Sequence, residues 1–124
     1  MANPVIHWQM LTNDPEGSAR FYADLFKWEV SDDNALGYKA VQTGAGEGID
    51  GGFWPLPPEG HPMIQLFIRV PDVDEYLQQA EKLGARVIIP PQKLPDGDEM
   101  AILLDPVGFA FGLTTGMRHL ENGE

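Results

Sequence analysis

The sequence predicts an α+β fold in which two βαβββ modules form one curved, barrel-like mixed sheet with the helices on the outside. The main observation is an internal repeat with an offset of 58 residues, which aligns Ile6 with Ile64 and Asp14 with Asp72. Each copy is a strand-like run that ends in an aspartate able to cap a helix. A repeated strand–helix unit of this length indicates duplicated modules.

The first predicted module covers about residues 4–57. Asp14 and Pro15 indicate the start of a helix, because aspartate caps a helix and proline fits its first position. The apolar face of this helix is predicted to carry Ala19, Tyr22, Leu25 and Phe26. The four predicted strands of the module lie at 5–11, from residue 28, at 38–42 and at 49–54.

The second predicted module, about residues 61–115, repeats this order. Asp72 and Glu75 have the spacing of a capping box, and Gly84 is placed to end the helix. Its apolar stripe is predicted to be Val73, Leu77, Ala80 and Leu83. The predicted strands lie at 64–70, 87–89, 100–104 and 109–113. Together the modules predict a single domain over residues 1–118, followed by a polar tail at 119–124.

Strand alternation divides the predicted sheet into two faces. The side chains that alternation places toward the helices are Ile6, Trp8, Met10, Ile64, Leu66 and Ile68. The side chains that point the other way are His7, Gln9, Gln65, Phe67 and Arg69. A face of polar and aromatic groups is typical of a small-molecule cavity, so we expect the ligand there.

The composition narrows the classes of partner. The chain has 8 basic and 19 acidic residues, which give a net charge of −11, and this charge repels nucleic acids and anionic membranes. It has no cysteine, so disulfides and thiolate chemistry are excluded. Neither a signal peptide nor an apolar run of about 20 residues is visible. We therefore expect a cytoplasmic protein that binds neither nucleic acid nor membrane.

Two segments resemble the vicinal-oxygen-chelate superfamily, which includes glyoxalase I, bleomycin-resistance proteins and extradiol dioxygenases. The segment from Asp14 to Trp28, with Phe21-Tyr22 and a Leu-Phe-Lys-Trp ending, resembles the family's first helix. The segment from Asp105 to Leu113 resembles its final hairpin. The resemblance covers about residues 5–115 and is greatest to small bacterial glyoxalase-like proteins. It implies the paired-module fold and a homodimer.

The resemblance also implies four positions for metal ligands, on the first, fourth, fifth and eighth strands. His7 occupies the first of these positions and Gln65 the third, while Gly112 stands where a glutamate is usual. The fourth-strand position falls on Gly51 or Gly52. Since a catalytic metal needs about three protein ligands, the sequence predicts no metal cofactor, with His7 and Gln65 as weak candidates. Substitute ligands could come from Asp50, His61 or Glu99.

Each candidate site residue has a functional and a structural interpretation. His7 could serve as a catalytic base or ligand contact, or be a buried histidine with backbone partners. Gln9 and Gln65 could orient a ligand, or pair with each other. Arg69 could bind an anionic group, or form a salt bridge with an acidic residue. Phe67 and Trp54 supply aromatic surface, with Phe67 favoured because it lies between Gln65 and Arg69.

The function predicted from these residues is small-molecule binding by a glyoxalase- and bleomycin-resistance-like protein with a degenerate metal site. The ligand is expected to be partly aromatic or polar. One alternative is a metal-dependent lyase, isomerase or dioxygenase that uses His7 with a non-standard ligand set. Another is a metal-free enzyme with His7 as general base. A purely structural or regulatory partner protein is a fourth interpretation.

Overall fold

The computed structural model describes residues 3–34 and 36–116 and confirms the predicted α+β architecture of two βαβββ modules. The predicted polar tail at 119–124 lies outside the described residues. None of the helices in these residues is long and apolar enough to cross a membrane. The elements are β1 (Val5–Thr12), α1 (Pro15–Phe26), β2 (Glu29–Ser31), β3 (Lys39–Gln42), β4 (Gly51–Pro55), β5 (Met63–Arg69), α2 (Val73–Lys82), β6 (Arg86–Lys93), β7 (Glu99–Leu104) and β8 (Ala110–Thr114).

The eight strands form one mixed sheet in the order β2-β3-β4-β1-β5-β8-β7-β6. The order is symmetric about its centre, since β1 runs parallel to β4 and β5 runs parallel to β8. The two modules join where β1 and β5 pair in antiparallel orientation, with Gln9 opposite Gln65. Both halves of this sheet therefore come from one chain.

Helix α1 begins as the sequence predicts and packs on the first module. The Asp14 carboxylate accepts a hydrogen bond from the Gly17 N–H at 3.0 Å, and Pro15 follows as the first helical residue. Ala19 and Tyr22 contact the core around Phe53. Leu25 and Phe26, predicted for the same face, are more than half exposed. The helix ends there, and Phe26 stacks on Trp28 instead of entering the core.

Helix α2 packs on the second module through the predicted residues Val73, Leu77 and Ala80. The Asp72 carboxylate accepts the Glu75 N–H at 3.2 Å, which satisfies one donor at the helix start. Leu83 was expected in the apolar stripe but is highly exposed, because it is the C-terminal cap. Gly84 then adopts a positive φ of 105° and ends the helix as predicted.

The two helices cover the same face of the sheet but leave its centre open. Helix α1 contacts β1, β2 and β4, whereas α2 contacts β6, β7 and β8. Ile64 and Leu66 of β5 lie on this helix-covered face, opposite Met10 and Trp8 of β1. They remain 61% and 45% exposed, because the main contacts of the two helices are with other strands. An apolar strip is thus left uncovered on the outside of the sheet.

The turn between β7 and β8 is held by one carboxylate. Asp105 accepts hydrogen bonds from the backbone N–H groups of Val107, Gly108 and Phe109 at 2.9, 2.7 and 2.9 Å. These bonds, with that from Phe109 the largest contributor, hold the pKa of the Asp105 carboxyl below its ordinary value. The ionised form therefore fits the folded turn better than the protonated form.

This turn predicts an acid-dependent loss of stability. The pKa of Asp105 is lower in the folded chain than in the unfolded chain, so ionised Asp105 stabilises the fold at pH values above about 3.9, the usual pKa of aspartate. That stabilisation is lost as the pH falls from there through the folded-state pKa. We expect Asp105→Asn to be less stable than wild type at pH 7, with a smaller difference at pH 3, in urea unfolding.

The matched control for this prediction is Asp33→Asn. Asp33 is also exposed, but its carboxylate accepts no hydrogen bond within residues 3–34 and 36–116. A pH-dependent difference as large for Asp33→Asn as for Asp105→Asn would show that the turn is not its source.

Candidate functional site

The face of the sheet that carries no helix, here called the helix-free face, gathers most of the predicted site residues. His7 lies opposite Phe67, and Gln9 opposite Gln65, on the antiparallel pair β1–β5. These positions alternate with Trp8 and Met10, which pack with α1 on the other face. The register therefore places His7, Gln9, Gln65 and Phe67 together, as the alternation pattern predicts.

Of the two glycines considered for the fourth-strand ligand position, Gly52 is the one on the helix-free face, where it lies opposite Gln9. A Cβ atom at Gly52 would overlap the ring of Tyr38, so this ring lies directly against the strand backbone. Gly51 has the same role on the other face, where a Cβ atom would overlap the indole of Trp8. The two adjacent glycines thus admit one aromatic ring on each face of β4.

In the second module, the eighth-strand ligand position is likewise a glycine covered by an aromatic ring. Gly112 lies opposite Phe67 on the helix-free face, and a Cβ atom there would overlap the Phe67 ring. Phe67 is 1% exposed, so its ring fills this space completely. It forms part of the buried floor of the helix-free face.

His7 lies between these two rings. Its ring centroid is 5.9 Å from that of Tyr38 and 5.9 Å from that of Phe67. The His7 Nε2 atom is 3.0 Å from the Tyr38 hydroxyl oxygen. Burial raises the pKa of the Tyr38 hydroxyl far above its ordinary value, so this hydroxyl stays protonated and can donate to Nε2. At 5% exposure, His7 is shielded from solvent.

These residues do not fit a divalent metal ion. Two of the four ligand positions implied by the family resemblance, Gly52 and Gly112, have no side chain, and aromatic rings occupy the space that a ligand would need. Within the described ranges, no group of three or more His, Asp or Glu side chains could hold a metal. The carboxylate of Asp50, a suggested substitute, accepts the Thr43 N–H at 3.0 Å in the preceding turn.

Gln9 and Gln65 form the polar centre of the helix-free face. The Gln9 Nε2 atom donates to Gln65 Oε1 at 3.4 Å, and Gln65 Nε2 is 4.0 Å from the sulfur of Met63. The sequence left open whether these amides pair or bind a ligand, and the structure brings them together. Their pairing does not use all of their donors and acceptors, since each amide has two N–H groups and two lone pairs.

Arg69 and Trp54 lie at opposite ends of the helix-free face. Arg69 is exposed at the end of β5, where it lies opposite Thr114. The ion pair found in the described part of the chain is Lys39–Asp32 at 3.7 Å, so the salt bridge considered for Arg69 does not form there. Trp54 lies two residues beyond Gly52 on β4, is 38% exposed and contacts the Tyr38 ring at 5.6 Å.

A surface pocket of about 510 Å³ lies beside Trp54, at the ends of β1 and β4 and the start of α1. The side chains around it include carboxylates and one amine, and that amine, of Lys39, is paired with Asp32. His7, Gln9 and Gln65 do not line this pocket. The amide pair and an exposed indole occur together on the helix-free face, so we place the candidate site there, with the pocket adjoining its Trp54 end.

Sequence reasoning missed two residues of this site. Tyr38 was assigned only to a strand, although its ring covers Gly52 and its hydroxyl contacts His7. Met63 was not considered, although its sulfur lies beside Gln65. The adjacent glycines Gly51 and Gly52 were the available signal for Tyr38, since glycine inside a strand often marks the close approach of another group.

The architecture is shared with solved structures of low sequence identity. A hypothetical protein of Bacillus halodurans matches with a TM-score of 0.69 at 16% identity, over 98% of this chain and all of that one (100%). A methylmalonyl-CoA epimerase of Mycobacterium tuberculosis matches with a TM-score of 0.63 at 16% identity, over 89% of this chain and 85% of the epimerase. Together with the paired modules, these likenesses define the vicinal-oxygen-chelate fold.

The sequence model of the Glyoxalase-like domain matches residues 7–114, and the chain belongs to that family. Among named relatives, the protein CFP32 of Mycobacterium bovis, provisionally named a glyoxylase, is 33% identical over 116 residues. The protein of the same name from Mycobacterium tuberculosis has the same identity. The match covers 88% of this chain but 44% of the relatives, so the chain spans less than half of their length.

Proposed function

We propose that this glyoxalase-like domain binds a small, partly aromatic or polar molecule on the helix-free face without a metal ion. The observation that carries the proposal is the replacement of two ligand positions by Gly52 and Gly112, each covered by a ring. Such a surface lacks side chains to ligate a metal ion at these two positions but offers a ligand aromatic contacts and hydrogen bonds. These suffice for binding.

The residues proposed to contact the ligand lie on the helix-free face, from the exposed Trp54 and Arg69 to Gln65, which is 7% exposed. Gln9 and Gln65 supply amide hydrogen bonds, and Trp54 supplies an exposed aromatic surface. The exposed guanidinium of Arg69 supplies a positive charge for ligands long enough to reach it. Phe67 is buried and supports these residues from the interior of the helix-free face.

The alternative in which His7 acts as a general base receives less support. A general base must come within hydrogen-bond reach of the proton that it removes. His7 is 5% exposed and its Nε2 atom already contacts the Tyr38 hydroxyl. A substrate could reach that atom only after Tyr38 moved away.

The first test is metal content together with ligand binding. We expect protein produced with added Ni, Zn, Mn and Fe to contain no stoichiometric metal by elemental analysis. We expect its melting temperature to be unchanged by these ions and to rise by several degrees with saturating ligands from a small-molecule screen, since binding to the folded state stabilises it. Stoichiometric metal that is lost in His7→Ala would overturn the proposal and favour the metal-dependent alternative.

Two variants locate the binding surface in that screen. Trp54→Ala removes the exposed indole of the site and should reduce the ligand-induced shift. Phe109→Ala removes another exposed ring, on the turn between β7 and β8, and should not. Equal loss in both variants would place the ligands elsewhere.

We also propose that the chain forms a homodimer through the apolar strip on the helix-covered face. Support comes from Ile64 and Leu66, which neither helix covers. We expect wild type to sediment as a dimer and the double variant Ile64→Lys/Leu66→Lys as a monomer. Leu83→Lys, a matched change at an exposed leucine on the end of α2, should remain dimeric. A monomeric wild type would contradict this proposal.

A further inference from the structure

The paired amides at the centre of the helix-free face indicate a chemical class of ligand. We infer that the site recognises a planar, neutral cyclic amide, whose N–H and C=O lie side by side on one edge. In this arrangement the edge binds the Gln9–Gln65 pair and the ring contacts Trp54 and Met63. The inference rests on the proposed binding function and specifies its ligand.

The first step is the count of hydrogen-bonding groups left by the amide pair. One Gln9 N–H is used in the bond to Gln65 Oε1. Gln9 keeps its carbonyl oxygen and a second N–H. Gln65 keeps one lone pair on its carbonyl oxygen and an NH₂ group that contacts only a weak acceptor, the sulfur of Met63. Each amide therefore keeps an acceptor and a donor that the pair does not use. Gln65 is 7% exposed and Gln9 is half-buried, so Gln9 is the more accessible of the two.

The carbonyl oxygen of Gln9 is also reachable. No buried side-chain nitrogen or oxygen in the described residues lacks a hydrogen-bond partner. Gln9 Oε1 has no protein partner in these residues, so it must be in contact with solvent. An acceptor that faces water in the free protein is available to a ligand donor.

The conclusion does not depend on which atom of each amide is oxygen. Amide oxygen and nitrogen are assigned from the hydrogen-bond network. Exchanging them in both residues reverses the bond between Gln9 and Gln65 but again leaves a donor beside an acceptor on each side chain. The pattern presented to a ligand stays the same.

A planar edge with one donor and one acceptor is the partner for such an amide. A glutamine amide binds an edge of this kind with two parallel hydrogen bonds, as it does with adenine in nucleic acid recognition. A carboxylate ligand has acceptors only and would leave the free carbonyl lone pairs of the two glutamines without a donor. The net charge of −11 also disfavours an anion near a pair that carries no charge.

The groups beside the amide pair favour a ring over an open chain. Trp54 follows Gly52 by two residues on β4, and Gly52 lies opposite Gln9, so the Trp54 backbone is about 7 Å along the strand from Gln9 and its side chain is on the same face. Met63 precedes Gln65 by two residues on β5 and is 42% exposed. An indole and a thioether on the same side suit the face of a flat, weakly polar ring.

The test uses carbostyril, the cyclic amide of quinoline, as the probe. Its N-methyl derivative lacks the donor, and quinoline lacks both groups. We expect carbostyril to bind about tenfold more tightly than either, which corresponds to the loss of one or two neutral hydrogen bonds. Dissociation constants are measured by protein-observed NMR titration of the full chain.

A variant of the same shape but with a negative charge tests whether the preferred type of ligand changes. Gln65→Glu keeps an oxygen that can accept from Gln9 Nε2, so the contact between the strands is preserved, but it removes the donor. We expect carbostyril to bind about tenfold more weakly to this variant. The amidine probe 2-aminoquinoline offers two donors on one edge when its ring nitrogen is protonated, and this cation should bind more tightly to the variant than to wild type. Gln78→Glu, the same change at an exposed site on α2, should alter neither.

The outcomes separate this inference from the proposed function. Equal binding of carbostyril and its N-methyl derivative, or an unchanged preference in Gln65→Glu, would overturn the inference. If other compounds bind in a Trp54-dependent way but cyclic amides do not, the inference fails and the proposed binding function stands. If no compound binds with saturation, both fail.

Discussion

Truncation of Phe67 to alanine is expected to lower the free energy of unfolding by about 3–5 kcal/mol, the usual cost of deleting a buried aromatic ring. Phe67 is 1% exposed, and its ring covers Gly112 on the neighbouring strand. Urea unfolding followed by circular dichroism measures the change. Phe109→Ala, which truncates a ring that is 74% exposed, should change stability by about 0.5 kcal/mol or less.

The contact between ring and glycine can be tested by a double-mutant cycle. Gly112→Ala alone should cost about 1–3 kcal/mol, because the new methyl group overlaps the Phe67 ring. In Phe67→Ala/Gly112→Ala the methyl group enters space that the ring has left, so the double variant should lose less than the sum of the single losses. Additive losses would show that the glycine is not needed to admit the ring.

The second large effect is expected at Tyr38. Tyr38→Ala should cost about 3–5 kcal/mol, since it removes a buried ring from the space over Gly52. Tyr38→Phe keeps the ring and removes only the hydroxyl bound to His7, with an expected cost of about 1–3 kcal/mol. Thermal and urea unfolding of the two variants separate the contribution of the ring from that of the hydrogen bond.

A matched hydroxyl elsewhere supplies the control for Tyr38→Phe. The Tyr76 hydroxyl accepts a bond from Asn3 Nδ2 at 3.3 Å in an exposed setting. Tyr76→Phe should therefore have little effect on stability. Equal costs for Tyr38→Phe and Tyr76→Phe would contradict a structural role for the His7–Tyr38 contact.

The architecture could be predicted because its signals are local and occur twice. Asp14 and Asp72 cap their helices as expected, and Gly84 ends the second one. Each signal acts within about four residues of chain, where sequence spacing and spatial distance correspond.

Strand lengths and side-chain exposures that depend on neighbouring elements could not be predicted from local signals. Strand β6 was expected at 87–89 but runs over Arg86–Lys93, including Pro90 and Pro91. The two prolines, which have no backbone N–H, are tolerated because β6 is an outermost strand of the sheet. The side of such a strand that faces solvent forms no backbone hydrogen bonds to a neighbouring strand. The exposure of Leu66 likewise follows from where the two helices lie, which the strand pattern does not encode.

The candidate site was predicted in part for the same reason. Strand parity correctly grouped His7, Gln9 and Gln65 on one face. It could not show that Tyr38, 31 residues from His7, would cover Gly52, because that contact depends on the path of a loop. It also could not choose between Gly51 and Gly52, since a shift of one residue reverses the face of a strand.

The strand pair β1–β5 is both the junction of the two modules and the floor of the candidate site. Each module has its own helix and its own core cluster, and the two modules are joined by the backbone pairing of these strands. Gln9 comes from one module and Gln65 from the other. A molecule bound to both glutamines would therefore contact both modules at once, so its binding would oppose their separation during unfolding.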